Sequence, residues 1–191
     1  GRLNGSAKAM AWLGARLMAH DLADVGINVD CAPMLDVPVE GTHEIIGDRA
    51  YAHDATSVAE IGRAVAEGLM AGGVLPVIKH IPGHGRATSD SHMQLPVVDA
   101  DRASLQATDF RPFQALADMP LAMSAHVVYP HPDPKKPATL LRIIIEDIIR
   151  AAIGFDGLLM TDDPPTKALT GSYRRRAEAA LAAPLALALT C

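Results

Sequence analysis

The chain has 191 residues and a net charge of −5, and 49% of its residues are hydrophobic although only 4% are aromatic. That is the length of one ordinary domain with enough apolar side chain for a core, and the mixed, net-negative charge argues against a nucleic-acid or polybasic membrane surface. The two cysteines, Cys31 and Cys191, make no secreted-type disulfide framework, and apolar stretches such as "AALAAPLALAL" are too short and alanine-rich to cross a bilayer.

A single domain over residues 1–191, no membrane association and a reducing, cytoplasmic setting are the expectations. No secretory leader is visible, and Gly1 in place of methionine points to sequence upstream. In chain order, residues 6–25 place Met10, Leu13, Leu17 and Leu22 near helical spacing, with Gly26 as a stop. The run "INVDCAPMLDV" (27–37) reads as a strand. Residues 55–71 predict a helix with Val58, Ile61, Val65 and Leu69 on one face. The strand-like runs "GVLPVIKHI" (73–81), "PLAMSAHVVY" (120–129) and "FDGLLMTDD" (155–163) follow, separated by helical patterns over 102–118 and 140–152. A weaker helix covers 174–189.

None of the four strand runs alternates cleanly between apolar and polar residues, as expected of strands buried on both faces of a parallel sheet. The βα alternation predicts an α/β fold with right-handed crossovers. Polar residues gather at strand ends: Asp36, Lys79 with His80, His126, and Asp162 with Asp163. In a parallel α/β sheet or barrel these ends face one way and build one site. Four βα units are half of an eight-unit barrel, which usually needs about 250 residues. The expectation is therefore an incomplete barrel, with an open sheet as the alternative.

The stretch "KHIPGHGRATSDSH" (79–92) concentrates the chemistry. Lys79 and His80 end a strand, where a cation and an imidazole can hold sugar hydroxyls or phosphate oxygens. Pro82-Gly83-His84-Gly85 cannot continue a strand and forms a shaped turn; loop shaping is the role assigned to His84. In "DSH", Asp90 and His92 share one side of an extended chain. A carboxylate there sets the imidazole tautomer and makes a plausible general acid/base. Asp162, after an apolar strand, is read as a nucleophile, and Asp163 before Pro164 as a helix N-cap. His80, His84 and His92 with Asp90 look like a ligand set, but their spacing matches no standard zinc pattern, so no metal and no cofactor are expected. Phosphate-loop, dinucleotide and G-x-S-x-G signatures are absent.

"KHIPGHGRATSDSH" resembles the K-H-F/I-P-G-H-G…D-S-H segment of bacterial β-N-acetylglucosaminidases of glycoside hydrolase family 3, the cytoplasmic enzymes of peptidoglycan recycling. "GINVDCAPMLDV", "IIGDRAY", "AHVVY" and "GFDGLLMTDD" resemble further segments of that family, so the likeness covers roughly residues 10–182. The resemblance implies a (β/α)8 TIM barrel and retaining exo-hydrolysis of terminal β-linked N-acetylglucosamine from a muropeptide or disaccharide. It implies Asp162 as nucleophile, His92 as acid/base and Asp90 as its dyad partner. Arg49, Lys79 and His80 would grip the sugar. The family's first strands have no counterpart here, which again predicts a partial barrel. Phosphorolysis through the same site, and a non-catalytic sugar-binding remnant, are the alternatives. The sequence leaves the oligomeric state open.

Overall fold

The computed structural model describes residues 5–41, 46–87, 96–129, 138 and 141–162. Helix α1 (Gly5–Asp24) leads into the short strand β1 (Val29–Asp30), a 3₁₀ turn (Gly47–Arg49) and helix α2 (Ala55–Ala71). Strand β2 (Leu75–Ile81) is followed by helices α3 (Arg102–Ala107) and α4 (Phe110–Ala115), then strand β3 (Leu121–Ser124). A wide, π-type helix (Ile144–Ile153) precedes strand β4 (Leu158–Thr161). The four strands form one parallel sheet in the order β1-β2-β3-β4. Parallel strands in sequential order, joined through helices, form an arc of a barrel, so every strand's C-terminal end points the same way. Among the described residues no helix is long and apolar enough to cross a membrane.

Local chemistry explains the element ends. Asp54 caps α2 by accepting the Ser57 N–H at 2.9 Å, and Asp101 caps α3 through the Ser104 N–H at 2.9 Å. Gly154, at φ +83°, ends the 144–153 helix in the left-handed conformation open to glycine. Arg150 then donates to the carbonyls of Phe155 and Gly157 at 2.8 Å each, aiming the chain into β4.

Several expectations are corrected. The run 27–37 is not one continuous strand, because Pro33 has no N–H to give a ladder. Its backbone still follows β2: Val77 N–H donates to Ala32 O at 3.0 Å, and Leu35 N–H to Lys79 O at 2.6 Å. The 102–118 helix is two helices. Pro112 cannot donate to the carbonyl of Thr108 and crowds it, which breaks the helix there. The predicted helix 174–189 lies outside the described residues.

Of the apolar stripe of α1, only Leu22 packs against the α1–α2 cluster. Met10, Leu13 and Leu17 are 71%, 55% and 66% exposed, while Ala15 and Ala19 are buried against α2. Small residues win because the two helices run very close. A side chain at Gly68 would collide with the Trp12 carbonyl and meet the Ala15 Cβ at 2.9 Å, and one at Gly72 would collide with the Ala19 Cβ. The α2 face with Val58, Val65 and Leu69 is buried as predicted.

The main core lies between the sheet and α2, α4 and the 144–153 helix. All three phenylalanines of the chain, Phe110, Phe113 and Phe155, are fully buried there with Leu35, Ile78 and Leu159. On the sheet's other face Val77, Met123 and Met160 pack together. The β2–β3 register pairs Lys79 with Met123 but Ile81 with Ser124. Two residues of β2 thus face one of β3, and His80 is the extra residue of a bulge, a device that re-aims a side chain at a strand end.

Gly68→Ala is expected to destabilise the protein by about 1–3 kcal/mol through overpacking. Helix propensity alone favours alanine there by roughly 1 kcal/mol. The urea unfolding midpoint decides the sign, and a rise would mean that α1 and α2 have room to separate.

Candidate active site

The site grows from three strand ends. Asp36 follows the segment after β1, His80 is the bulged residue of β2, and Asp162 follows Thr161 at the end of β4. Asp36 is 1% exposed. Its Oδ2 accepts the Nδ1–H of His80 at 2.6 Å, and its Oδ1 accepts the backbone N–H of His84 at 2.7 Å. With Nδ1 held by a carboxylate, the other ring nitrogen of His80 is directed elsewhere. His80 Nε2 lies 4.0 Å from Asp162 Oδ2. The side chains of His80 and Asp162 are 10% and 21% exposed, so the mouth between them reaches solvent.

Burial by itself would raise the Asp36 carboxyl. The charge of His80, its hydrogen bond and the charge and N–H of His84 outweigh burial and hold Asp36 below the ordinary value of 3.8. His84 is shifted by burial, which lowers its imidazole below the usual 6.5 although Asp36 pulls the other way. Its ring lies 5.6 Å from that of His80, and among the described residues neither ring nitrogen of His84 has a hydrogen-bond partner. A buried polar group left so costs about 1–3 kcal/mol.

The Pro82–Ala87 turn is built by close approach rather than slack. Gly83 sits at φ +145° with Asp109 Cβ 3.0 Å from where its own Cβ would be, and Gly85 presses on the backbone of Val37. Tyr129 donates its hydroxyl to Gly83 O at 3.0 Å. Burial pushes that phenol well above 10.0, so it stays a donor.

Of the residues singled out in the sequence, His80 and Asp162 are brought together. Lys79 is half-buried beside His80, with its backbone bonded to Pro33 and Leu35. Arg49 is exposed at the end of the 3₁₀ turn. Asp90, His92 and Asp163 lie outside the described residues, and with Asp90 and His92 go two members of the ligand-like set. Among the described residues no group of three or more His, Cys, Asp or Glu side chains converges as a metal site. Sequence reading missed the partnership of Asp36 with His80 and His84. Asp36 was visible as a strand-end acid, but its partners lie 44 and 48 residues away in the chain. His126, the strand-end histidine beyond β3, is 1% exposed.

Sequentially ordered parallel strands with acid and imidazole gathered at their C-terminal ends define an α/β-barrel domain with its site at the strand mouth. The chain belongs to the glycosyl hydrolase family 3 N-terminal domain family, whose sequence profile matches residues 5–191. It is 38% identical over 179 residues to a beta-hexosaminidase of Chromobacterium violaceum, covering 92% of this chain and 50% of that one. A glycoside hydrolase family 3 beta-N-acetylglucosaminidase from Paenibacillus sp. str. FPU-7 superposes with a TM-score of 0.89 at 34% identity, over 96% of this chain and 36% of that one. NagZ from Neisseria gonorrhoeae in complex with N-trifluoroacetyl-D-glucosamine superposes with a TM-score of 0.88 at 34% identity, over 97% and 54% of the two chains. The chain thus spans about half the length of the curated relatives it matches.

The two depressed groups make stability rise with pH. Below 6.5 the unfolded chain takes up a proton that folded His84 refuses, so stability falls as pH falls from that value. The Asp36 contribution is complete above 3.8 and is lost as pH drops through its lower folded value. Urea midpoints should fall between about pH 7 and pH 5, and His84→Asn should flatten that slope. An unchanged slope would remove His84 as its source.

Proposed function

We propose that the domain carries the catalytic centre of a retaining exo-β-N-acetylglucosaminidase acting on N-acetylglucosamine-terminated cell-wall fragments. One observation carries the reading: Asp162 stands at a strand mouth, within 4.0 Å of an imidazole that a buried carboxylate orients. The beta-hexosaminidase and beta-N-acetylglucosaminidase relatives support the substrate class.

In this reading Asp162 attacks the anomeric carbon as the bond to the leaving oxygen breaks, and His92 gives that oxygen its proton. The products of this step are a glycosyl ester on Asp162 and the free aglycone. Neutral His92, oriented by Asp90, then takes a proton from water, whose oxygen displaces Asp162 with net retention. Histidine here fills the place that a second carboxylate takes in most glycosidases. Arg49, Lys79 and His80 hold sugar hydroxyls, and such contacts supply binding energy for ring distortion. The muropeptide aglycone and a cytoplasmic location belong to the same proposal and rest on the sequence resemblance.

Asp162→Ala should abolish turnover of an aryl N-acetyl-β-glucosaminide, and added azide should restore it with release of a glycosyl azide of inverted configuration. Full activity of Asp162→Ala sinks the nucleophile assignment. His92→Ala should slow a poor-leaving-group substrate by about 10²–10⁴-fold while sparing an activated aryl glycoside much more. Equal loss on both would remove the acid role. Product analysis with and without phosphate identifies the acceptor.

A further inference from the structure

We propose that Asp36 is a positioning residue for the reaction: it holds a proton on His80 Nδ1, so that Nε2 is the nitrogen that meets the sugar beside Asp162. The proposal rests on the glycosidase reading above. The two oxygens of Asp36 have separate duties. Oδ1 accepts backbone donors, the His84 N–H at 2.7 Å and, at 3.5 Å, the His80 N–H. Those contacts hold the bulge and the turn, where a bulged residue has left the ladder. Oδ2 instead faces the His80 ring and meets Nδ1 at 2.6 Å. One oxygen serves the fold, and the other serves the imidazole.

The Asp36 side chain is fully buried and that of His80 is 10% exposed, so water competes little for their bond. The hydrogen bond made at one ring nitrogen sets where an imidazole carries its proton. An anionic oxygen at 2.6 Å therefore fixes a proton at Nδ1. Nε2 is then the ring position whose proton content changes at the mouth, 4.0 Å from Asp162 Oδ2. That spacing is too long for a good direct hydrogen bond, but a sugar oxygen or nitrogen about 2.8 Å from each group fits between them. Asp36 touches neither the sugar nor the nucleophile in this scheme; it acts through the ring it holds.

Asp36→Asn isolates the second duty. Backbone N–H groups only donate, so the amide oxygen must take the Oδ1 place and its NH₂ must face His80 Nδ1. The NH₂ also only donates. Nδ1 is then forced to accept, and Nε2 becomes a fixed N–H. The shape and the turn contacts are kept while the ring proton moves to the other nitrogen. A carboxylate-to-amide exchange beside the histidine of a serine-protease triad works in the same way.

The test joins a spectroscopic and a kinetic readout. Heteronuclear NMR of the imidazole nitrogens, with His80 assigned by the signals missing in His80→Asn, should show a protonated Nδ1 in the unaltered protein and a bare Nδ1 in Asp36→Asn. A bare Nδ1 in the unaltered protein, or a protonated one in Asp36→Asn, overturns the proposal. Asp36→Asn should lower kcat/KM for an aryl N-acetyl-β-glucosaminide by about 10–10²-fold, the size of one lost charge-assisted hydrogen bond. Full kcat/KM in that variant overturns the positioning role. His80→Asn keeps an amide N–H for Asp36 and removes Nε2. In that background Asp36→Asn should cost less than about 3-fold more, because its effect travels through the ring. Losses that multiply in the double variant leave Asp36 a structural role alone and overturn the proposal. If Asp36→Asn does not fold, the unaltered protein still decides: a protonated Nδ1 supports the proposal and a bare one overturns it. If the unaltered protein hydrolyses no aryl N-acetyl-β-glucosaminide, the glycosidase reading falls, and the NMR comparison alone judges whether Asp36 sets the ring proton.

Discussion

The buried carboxylate of Asp36 is the constraint on which the mouth of this domain depends. It is enclosed, charged and held by donors from a single turn of chain: the His80 ring, the His84 backbone and, at 3.5 Å, the His80 backbone. A carboxylate in that position is costly unless both oxygens are satisfied. It is therefore stable only if β2 bulges at His80 and the following turn comes back on itself. The orientation of His80 toward Asp162 follows from this arrangement.

Around that centre the chain trades side-chain volume for backbone proximity. Gly85 lies on Val37, Gly83 on Asp109, and Gly68 and Gly72 on α1. In the turn, close approach brings a backbone donor to a buried acid. Between α1 and α2, it lets alanine form the contact and leaves larger side chains outside. The low aromatic content fits this pattern. Three phenylalanines nail the sheet to its outer helices, and leucine, isoleucine and valine supply most of the rest of that core.

Much of the architecture was legible in the chain. The α2 face showed because Val58, Val65 and Leu69 have a spacing that only a helix turns into one surface. The four strand runs showed as apolar stretches ended by polar residues, because parallel strands are buried on both faces. Their lengths did not show. Pro33 and the bulge at His80 cut the ladders, and where a ladder is cut depends on the partner strand. The α1 face was misread because Met10 and Leu13 are more hydrophobic than Ala15 and Ala19. Hydrophobicity ranks residues singly, whereas the choice of face was made by the groove that Gly68 and Gly72 open in α2.

The sequence by itself determined the α/β class, the strand-end placement of Asp36, His80 and Asp162, and the concentration of polar residues after β2. These follow from local periodicity and from the one-way direction of parallel strands. Only the tertiary structure decided which carboxylate holds which imidazole, and that the glycines after His80 serve close packing. Those outcomes join residues far apart in the chain, as in the His80–Asp36 contact at a separation of 44. Contacts at that range are set by sheet register and helix spacing, which no local pattern encodes.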